Sequence, residues 1–495
     1  MFCPKKSVAV VFTRKRDVNM KPLTLAGEEM ATVKEVKYLG ITLDSKLTFQ
    51  KHIKNKIEEC KKCLAMVNSK VKANHGPIPR LAKWVYEGVV VPRLLYGCHV
   101  WAHKMNQGNR SQMESLNRRA ASTICSIFPG TATKGLEVIL NLKPLHIRVE
   151  ENALAIRARL LNKAAWDGTD KKGVQKSHLI LLNNRLEDMG IFHRDCEVTR
   201  NMPKLDIKWD PMSKEDITEK EDTIYVYTDG SKKKEGTGAG VCIRGLMQKE
   251  IREPIEREGS ALQAEMIAII EAGEYLIQEN VTGKSIQLRT DSSVCLRSMD
   301  YCKTKSFYTR RAIDIWTEIS QKNEVTMRWI KGHNGIKGNI RADCLAKEAT
   351  KVEGPQSRIY MSNKTMTSII KMKGTETWES QWGEEKELRQ PREWFPNIDA
   401  IKSNEMLRQS KPTLSRMVQF ISGFNNMRNH TGRMARPKTT VACRLCGTDE
   451  ETGIHLAWKC KETAQIRLPK KWEVKELSEF INQDKIRYLL DNRSK

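Results

Sequence analysis

The chain has 495 residues, with 86 Lys and Arg against 60 Asp and Glu and a formal net charge of +26. An excess of this size fits a polyanionic partner, nucleic acid first, better than a small metabolite, and the length predicts about three folded units joined by linkers. The longest apolar runs, such as Val8 to Phe12, are far too short to span a bilayer, and Met1-Phe2-Cys3-Pro4-Lys5-Lys6 lacks the apolar core of a secretory leader, so an intracellular protein without membrane attachment is expected. Thirteen scattered cysteines, an odd number, read as reduced thiols with one metal site and not as a disulfide framework.

Residues 1 to 50 alternate apolar and polar in short runs, Val8 to Phe12 and then Val36 to Asp44, which predicts strands separated by turns. From about 51 to 165 the period becomes helical. Residues 51 to 115 carry 12 Lys or Arg and 4 acids, able to track a phosphate backbone or simply to form a solvated face. Cys60-x2-Cys63 lies in this lysine-rich helix with no second pair at zinc spacing, and is assigned to structure. Residues 166–220 are polar and broken by Gly168, Gly173, Gly190, Pro203 and Pro211, a linker with some short helix.

Residues 221–352 predict an α/β unit: strands at about 223–229, 237–244, 248–254, 284–290 and 324–330, helices at about 260–278, 306–321 and 339–350. The first strand, Ile224 to Thr228, is apolar on both alternating faces, as a central strand covered on both sides should be. It ends on Asp229-Gly230-Ser231. The fourth, Ile286 to Thr290, ends the same way on Asp291-Ser292-Ser293, and the carboxyl ends of parallel strands are where open α/β sheets bind ligands. Glu265 lies at the edge of a helical stripe of Leu262, Met266, Ile269, Gly273 and Leu276, and Asp343 sits similarly beside Ala342, Leu345, Ala346 and Ala349. Four carboxylates converging without an obvious Lys or Arg partner would raise one another's pKa values, a conflict that bound cations remove. Hard oxygen ligands suit Mg2+ or Mn2+, and two such ions roughly 3.5 to 4 Å apart can stabilise both oxygens of a phosphodiester cleavage.

Tyr227-Thr228-Asp229-Gly230-Ser231, Ala264-Glu265, Thr290-Asp291-Ser292-Ser293 and Gly332-His333-Asn334-Gly335 followed by Gly338-Asn339-Ile340-Arg341-Ala342-Asp343 together resemble type I ribonuclease H, in order, spacing and predicted element. The resemblance implies a five-stranded mixed sheet flanked by helices, its first three strands antiparallel and its fourth and fifth parallel to the first. It implies hydrolysis of the RNA strand of an RNA/DNA hybrid. Asp229 would bridge two metals, Asp343 would hold the metal of the attacking water, and Glu265 with Asp291 the metal of the leaving oxygen. His333 would assist proton transfer or product release. Ile340 departs from many retroelement relatives, which carry an acid there.

The segment Val36 to Asp44 with Leu47-Thr48-Phe49, then Leu94 to Ala102 and Leu116-Asn117-Arg118-Arg119, resembles the palm-end, thumb and connection of non-LTR retrotransposon reverse transcriptases across residues 1–165. That polymerase needs an adjacent Asp-Asp pair, and the chain contains no Asp-Asp dipeptide. Residues 353–435 are expected as a basic linker with helices around 360–372 and 412–421. In 436–470, Cys443-x2-Cys446-x8-His455-x4-Cys460 has ligand types and spacing suited to one structural Zn2+, and a similar knuckle ends related retroelement proteins. Arg444, Lys459, Lys461 and Arg467 are available there to attract nucleic acid, opposed by Asp449, Glu450, Glu451 and Glu462. Residues 471–495 form a tail. The expected partners are an RNA/DNA hybrid and single-stranded RNA or DNA, with the nucleus as the site of action implied by the retrotransposon resemblance. The competing expectation is a catalytically inactive nucleic-acid-binding remnant of a retroelement polyprotein.

Overall fold

The computed structural model describes the chain except residues 1–6, 14, 16–20, 26, 73–77, 163–177, 192–199, 209–217, 302, 305, 333–334, 354–356, 358, 435–439 and 493–495. It divides into two compact units, one made of Leu154–Lys371 and the other of Met1–Ala153 together with Met372–Lys495. No helix among the described residues is long and apolar enough to cross a membrane.

The Leu154–Lys371 unit holds a mixed sheet. Its strands are β1 (Ile207–Lys208), β2 (Thr223–Lys232), β3 (Thr237–Gly245), β4 (Lys249–Ile255), β5 (Ser285–Thr290) and β6 (Glu324–Trp329), in the spatial order β4-β3-β2-β5-β6-β1. β3 is antiparallel to both β2 and β4, while β5 is parallel to β2 and β6. The two-residue β1 adds a sixth strand, parallel to β6, to the five expected, and it comes from the stretch expected as a linker. That stretch also supplies the helix His178–Asp188 and a strand, Arg200–Asn201, paired with Lys303–Thr304.

β2 is buried from Thr223 to Thr228, so both of its faces are covered, which is why it is apolar on both. One face carries α1 (Ala261–Gln278) and α3 (Phe307–Ser320), locked where Ile315 and Trp316 fill the space beside Gly273 and the Trp316 indole donates to Ile269 O at 3.0 Å. Ser260 starts α1 with a capping box to Gln263. Leu262, expected in the core stripe, is exposed. A short helix, α2 (Ser293–Asp300), was absent from the expected elements; Ser292 caps it. The other face carries α4 (Lys337–Ala349), which rests on Gly238 and Gly240 of β3 so closely that a Cβ at either would strike its backbone or Ala349.

The second unit is mainly helical, as expected for the N-terminal region, with a hairpin of Glu35–Tyr38 and Ile41–Asp44 ahead of the helix Gln50–Lys72. Cys60 and Cys63 are buried on that helix, and the Cys60 thiol donates to Val90 O at 3.5 Å, a packing role. Residues 353–435, expected as a linker with helices around 360–372 and 412–421, carry helices Asn363–Glu384, Arg389–Trp394, Ala400–Met406, Lys411–Ser422 and Arg428–Met434. Those from 372 onward belong to the same unit as residues 1–153, so the chain returns to close a core begun near its start.

Inside that unit Glu137 is buried, its carboxylate accepting from the Asn117 amide at 2.6 Å, and Asn117 in turn accepts from the Tyr86 hydroxyl. Burial pushes the Glu137 carboxyl up to about 8, against the opposing Asn117 hydrogen bond. The folded unit therefore keeps a proton that the unfolded chain releases near the ordinary value of 4.5. The contribution of Glu137 to stability should be full below pH 4.5 and fall by roughly a few kcal/mol as pH rises to about 8. Glu137→Gln, which mimics the protonated acid, should flatten this slope; equal slopes in urea denaturation of both chains between pH 5 and 8 would reject the assignment.

Candidate functional site

β2 and β5 run parallel, with Thr228 opposite Thr290 as their last register pair, so Asp229 and Asp291 emerge side by side one residue beyond it. Gly230 follows Asp229 because a Cβ there would collide with the Glu265 backbone; its absence lets the first turns of α1 descend onto the strand end and deliver Glu265. From the other face α4 brings Asp343, and one turn earlier Asn339 Nδ2 lies 3.4 Å from Asp291 Oδ2. Asp229, Glu265, Asp291 and Asp343 thus line one cavity of about 260 Å³, with Gly230, Lys331, Gly335, Ile336, Asn339 and Ile340 around them. All four acids singled out from the sequence meet there. His333 lies outside the described residues.

Burial first, and then the neighbouring Asp291 and Asp343, push the Asp229 carboxyl up to about 7. Glu265 is also raised, by burial and by Asp291, against hydrogen bonds from the Ser292 hydroxyl and the Cys295 thiol. The expectation that the acids lack a cationic neighbour needs correction, since Lys347 Nζ lies 2.6 Å from Asp343 Oδ2, one turn along α4. Asn339 and Ser292, present in the motifs, had no role assigned to them in the sequence, and Lys347 and Cys295 were not anticipated at all. The i to i+4 spacing of Asp343 and Lys347 was the available signal for Lys347. The acids are hard oxygen donors crowded at one place, a set that fits Mg2+ or Mn2+.

A second cluster lies in the other unit. The ligand atoms of Cys443, Cys446, His455 and Cys460 are all within 4.8 Å of one another, so their spacing in the sequence does bring them together. Gly447, at φ +74°, allows the turn whose N–H returns to Cys443 O at 2.8 Å. Cys446 Sγ stands 3.2 Å from His455 Nε2. Three thiols and an imidazole in this compass suit tetrahedral Zn2+. Arg444, expected to face nucleic acid, is already engaged: its guanidinium and backbone N–H bind the fully buried Glu451 at 2.7 to 3.0 Å, and it reaches Leu489 O at 3.1 Å. Trp458, ending the helix Gly453–Trp458 that carries His455, packs on Trp394 at 4.4 Å between centroids, beside Trp472 and Phe420.

The model of the RNase H family matches residues 221–351. Ribonuclease H of Hahella chejuensis is 32% identical over 144 residues, covering 26% of this chain and 94% of that protein. The putative 115 kDa protein in type-1 retrotransposable element R1DM of Drosophila melanogaster is 25% identical over 160 residues, and the probable RNA-directed DNA polymerase from transposon BS of the same organism is 29% identical over 160. Each match covers 32% of this chain but only 16% and 17% of those longer proteins. These matches support a relationship to the C-terminal part of a non-LTR retrotransposon polyprotein. The crystal structure of RNase H1 from the halophilic archaeon Halobacterium salinarum NRC-1 aligns with 26% of this chain and 96% of its own at 23% identity, with a TM-score of 0.22. Because a ribonuclease H is matched almost from end to end at 32% identity, this chain belongs to the ribonuclease H family of hydrolases, through the domain at residues 221–351.

Proposed function

We propose that the chain hydrolyses the RNA strand of RNA/DNA hybrids by a two-metal-ion reaction at Asp229, Glu265, Asp291 and Asp343. The observation that carries this reading is the meeting of those four carboxylates, from two strand ends and two helices, in one cavity. Mg2+ or Mn2+ held there would neutralise developing charge and provide a hydroxide-like nucleophile near neutral pH. Asp229, which feels the charges of both Asp291 and Asp343, would be the shared ligand. Asp343 would hold the ion on the side of the attacking water, and Glu265 with Asp291 the ion on the side of the leaving oxygen. The Asn339 amide steadies Asp291, while Ser292 and Cys295 steady Glu265. His333 assists proton transfer or product release, and 2′-hydroxyl contacts in the minor groove select RNA.

In the retrotransposon-related setting the basic surface would hold hybrid or single-stranded nucleic acid, in the nucleus. We assign one structural Zn2+ to Cys443, Cys446, His455 and Cys460; four protein ligands leave no open position for chemistry.

On a labelled hybrid, the purified chain should cut RNA with Mg2+, stop with EDTA, and leave DNA and single-stranded RNA largely intact. Asp229→Asn should slow cleavage by two or more orders of magnitude while hybrid binding, measured by fluorescence anisotropy, persists; cleavage at the parental rate would refute the site. With no Asp-Asp pair to hold polymerase metals, the chain should not extend a primer on an RNA template, and extension free of contaminating polymerase would overturn that expectation. Zinc should copurify at one per chain. Cys443→Ser with Cys446→Ser should remove it, weaken single-stranded RNA binding and lower the melting temperature by several degrees, because the knuckle helix packs Trp458 into an aromatic core. Hybrid cleavage at saturating substrate should survive. Unchanged zinc by elemental analysis would eliminate the site.

A further inference from the structure

One buried cation in the ribonuclease unit has no part in the reading above. Arg289 of β5 is 1% exposed, deep inside the sheet's α4 face. Its guanidinium lies over the Tyr225 ring at 4.3 Å and near the Tyr227 ring at 5.6 Å, donates to the Tyr227 hydroxyl at 2.8 Å, and donates to Gln287 Oε1. The Tyr227 hydroxyl donates to Glu219 Oε1 at 3.0 Å, and Glu219 also accepts from Arg244 at 3.1 Å. Burying a guanidinium carries a large desolvation cost, and an apolar side chain of similar size often packs as well or better. Stability alone gives no reason for an arginine here.

Its position gives one. In the parallel pairing of β5 with β2, Arg289 is the register partner of Tyr227. Side chains two residues apart on a strand share a face, so the next residues on that face are Asp291 above Arg289 and Asp229 above Tyr227. The Tyr227 ring also seats α4: a Cβ on Gly338 would collide with it, and Asn339 and Asp343 follow Gly338 on the same helix. The Tyr227–Arg289 layer is therefore the floor beneath three of the four acids.

We infer that Arg289 is a positioning residue which, by bonding across to Tyr227 from one strand to the next, sets the spacing of Asp229 and Asp291 and the seat of the Asp343 helix for divalent cations. This rests on the assignment of those acids as cation ligands. The planar guanidinium, held by stacking and hydrogen bonds at once, fixes the two strands and the tyrosine ring in one geometry, whereas a flexible apolar chain would fill the volume without fixing it. Such a residue acts as supporting partners of metal ligands do, where loss typically costs 10- to 100-fold in affinity or activity.

The test uses the full chain with Arg289→Met and, independently, Tyr227→Phe, each measured by calorimetric titration with Mg2+ in the absence of nucleic acid, by thermal unfolding, and by kcat and KM on a labelled hybrid. Arg289→Met should melt near or above the parent yet bind Mg2+ roughly 10-fold more weakly. Its kcat should drop at limiting Mg2+, with KM for the hybrid little changed. Tyr227→Phe should shift in the same direction by a smaller factor. Parental Mg2+ affinity in a folded Arg289→Met chain overturns the inference. If that chain does not fold, parental Mg2+ affinity in Tyr227→Phe overturns it instead. A parent chain that neither takes up Mg2+ nor cleaves hybrid would sink the assignment of the acids themselves, and this role with it.

Discussion

Repulsion between carboxylates that the fold forces together is the constraint on which the ribonuclease unit depends. Asp229 is driven up to about 7 by burial and by Asp291 and Asp343, so the acids cannot all be ionised there without cost. A packing arrangement chosen for stability alone would keep such groups apart. Here the backbone removes every obstacle to their approach: Gly230 admits α1, Gly238 and Gly240 admit α4 onto β3, and Gly338 admits the Tyr227 ring. Each of these glycines gives up a side chain so that a helix can come close enough to deliver an acid. The crowding is held as electrostatic repulsion, which a bound divalent cation would relieve.

The same logic extends outward by one layer. Ser292 and Cys295 place donors on Glu265, which favours its charged form, and Asn339 places one on Asp291; each fixes the direction of its acid. Beneath them the Tyr227–Arg289 contact ties two strands together at the level just before the acids begin. A site built on the ends of paired strands inherits the rigidity of the sheet, which loops alone do not provide.

The second unit solves a different problem. A Cys/His cluster within 18 residues buries too little apolar surface to be stable alone. It gains support by burying Leu456 and Ala457, by packing Trp458 on Trp394, which itself meets Phe420 and Trp472, and by committing Arg444 to the buried Glu451. That commitment ties the cluster to its neighbours Asn426 and Leu489 within the same unit. Lys459 and Lys461, unlike Arg444, remain on its outer side where a phosphate backbone could be met.

Local periodicity and motif order alone determined the strands from 223 to 329, helices α1, α3 and α4, the meeting of Asp229, Glu265, Asp291 and Asp343, and the grouping of Cys443, Cys446, His455 and Cys460. These are properties of short segments: alternation sets which face a side chain takes, and ligand spacing survives any fold that keeps the segment intact. Only the tertiary structure decided what depends on chain distant in sequence. The strand Ile207–Lys208 has no signal of its own and exists because β6 offers it an edge. Beyond the helices expected near 360–372 and 412–421, the helices Arg389–Trp394, Ala400–Met406 and Arg428–Met434 were not anticipated, because they pack in a unit shared with residues far earlier in the chain. Lys347 pairing with Asp343, Arg444 spent on Glu451, and Arg289 buried beneath the acids were all written in the sequence as ordinary surface charges. Whether a charge faces solvent, a partner or the core is set by what packs over it, and that information lies in no single segment.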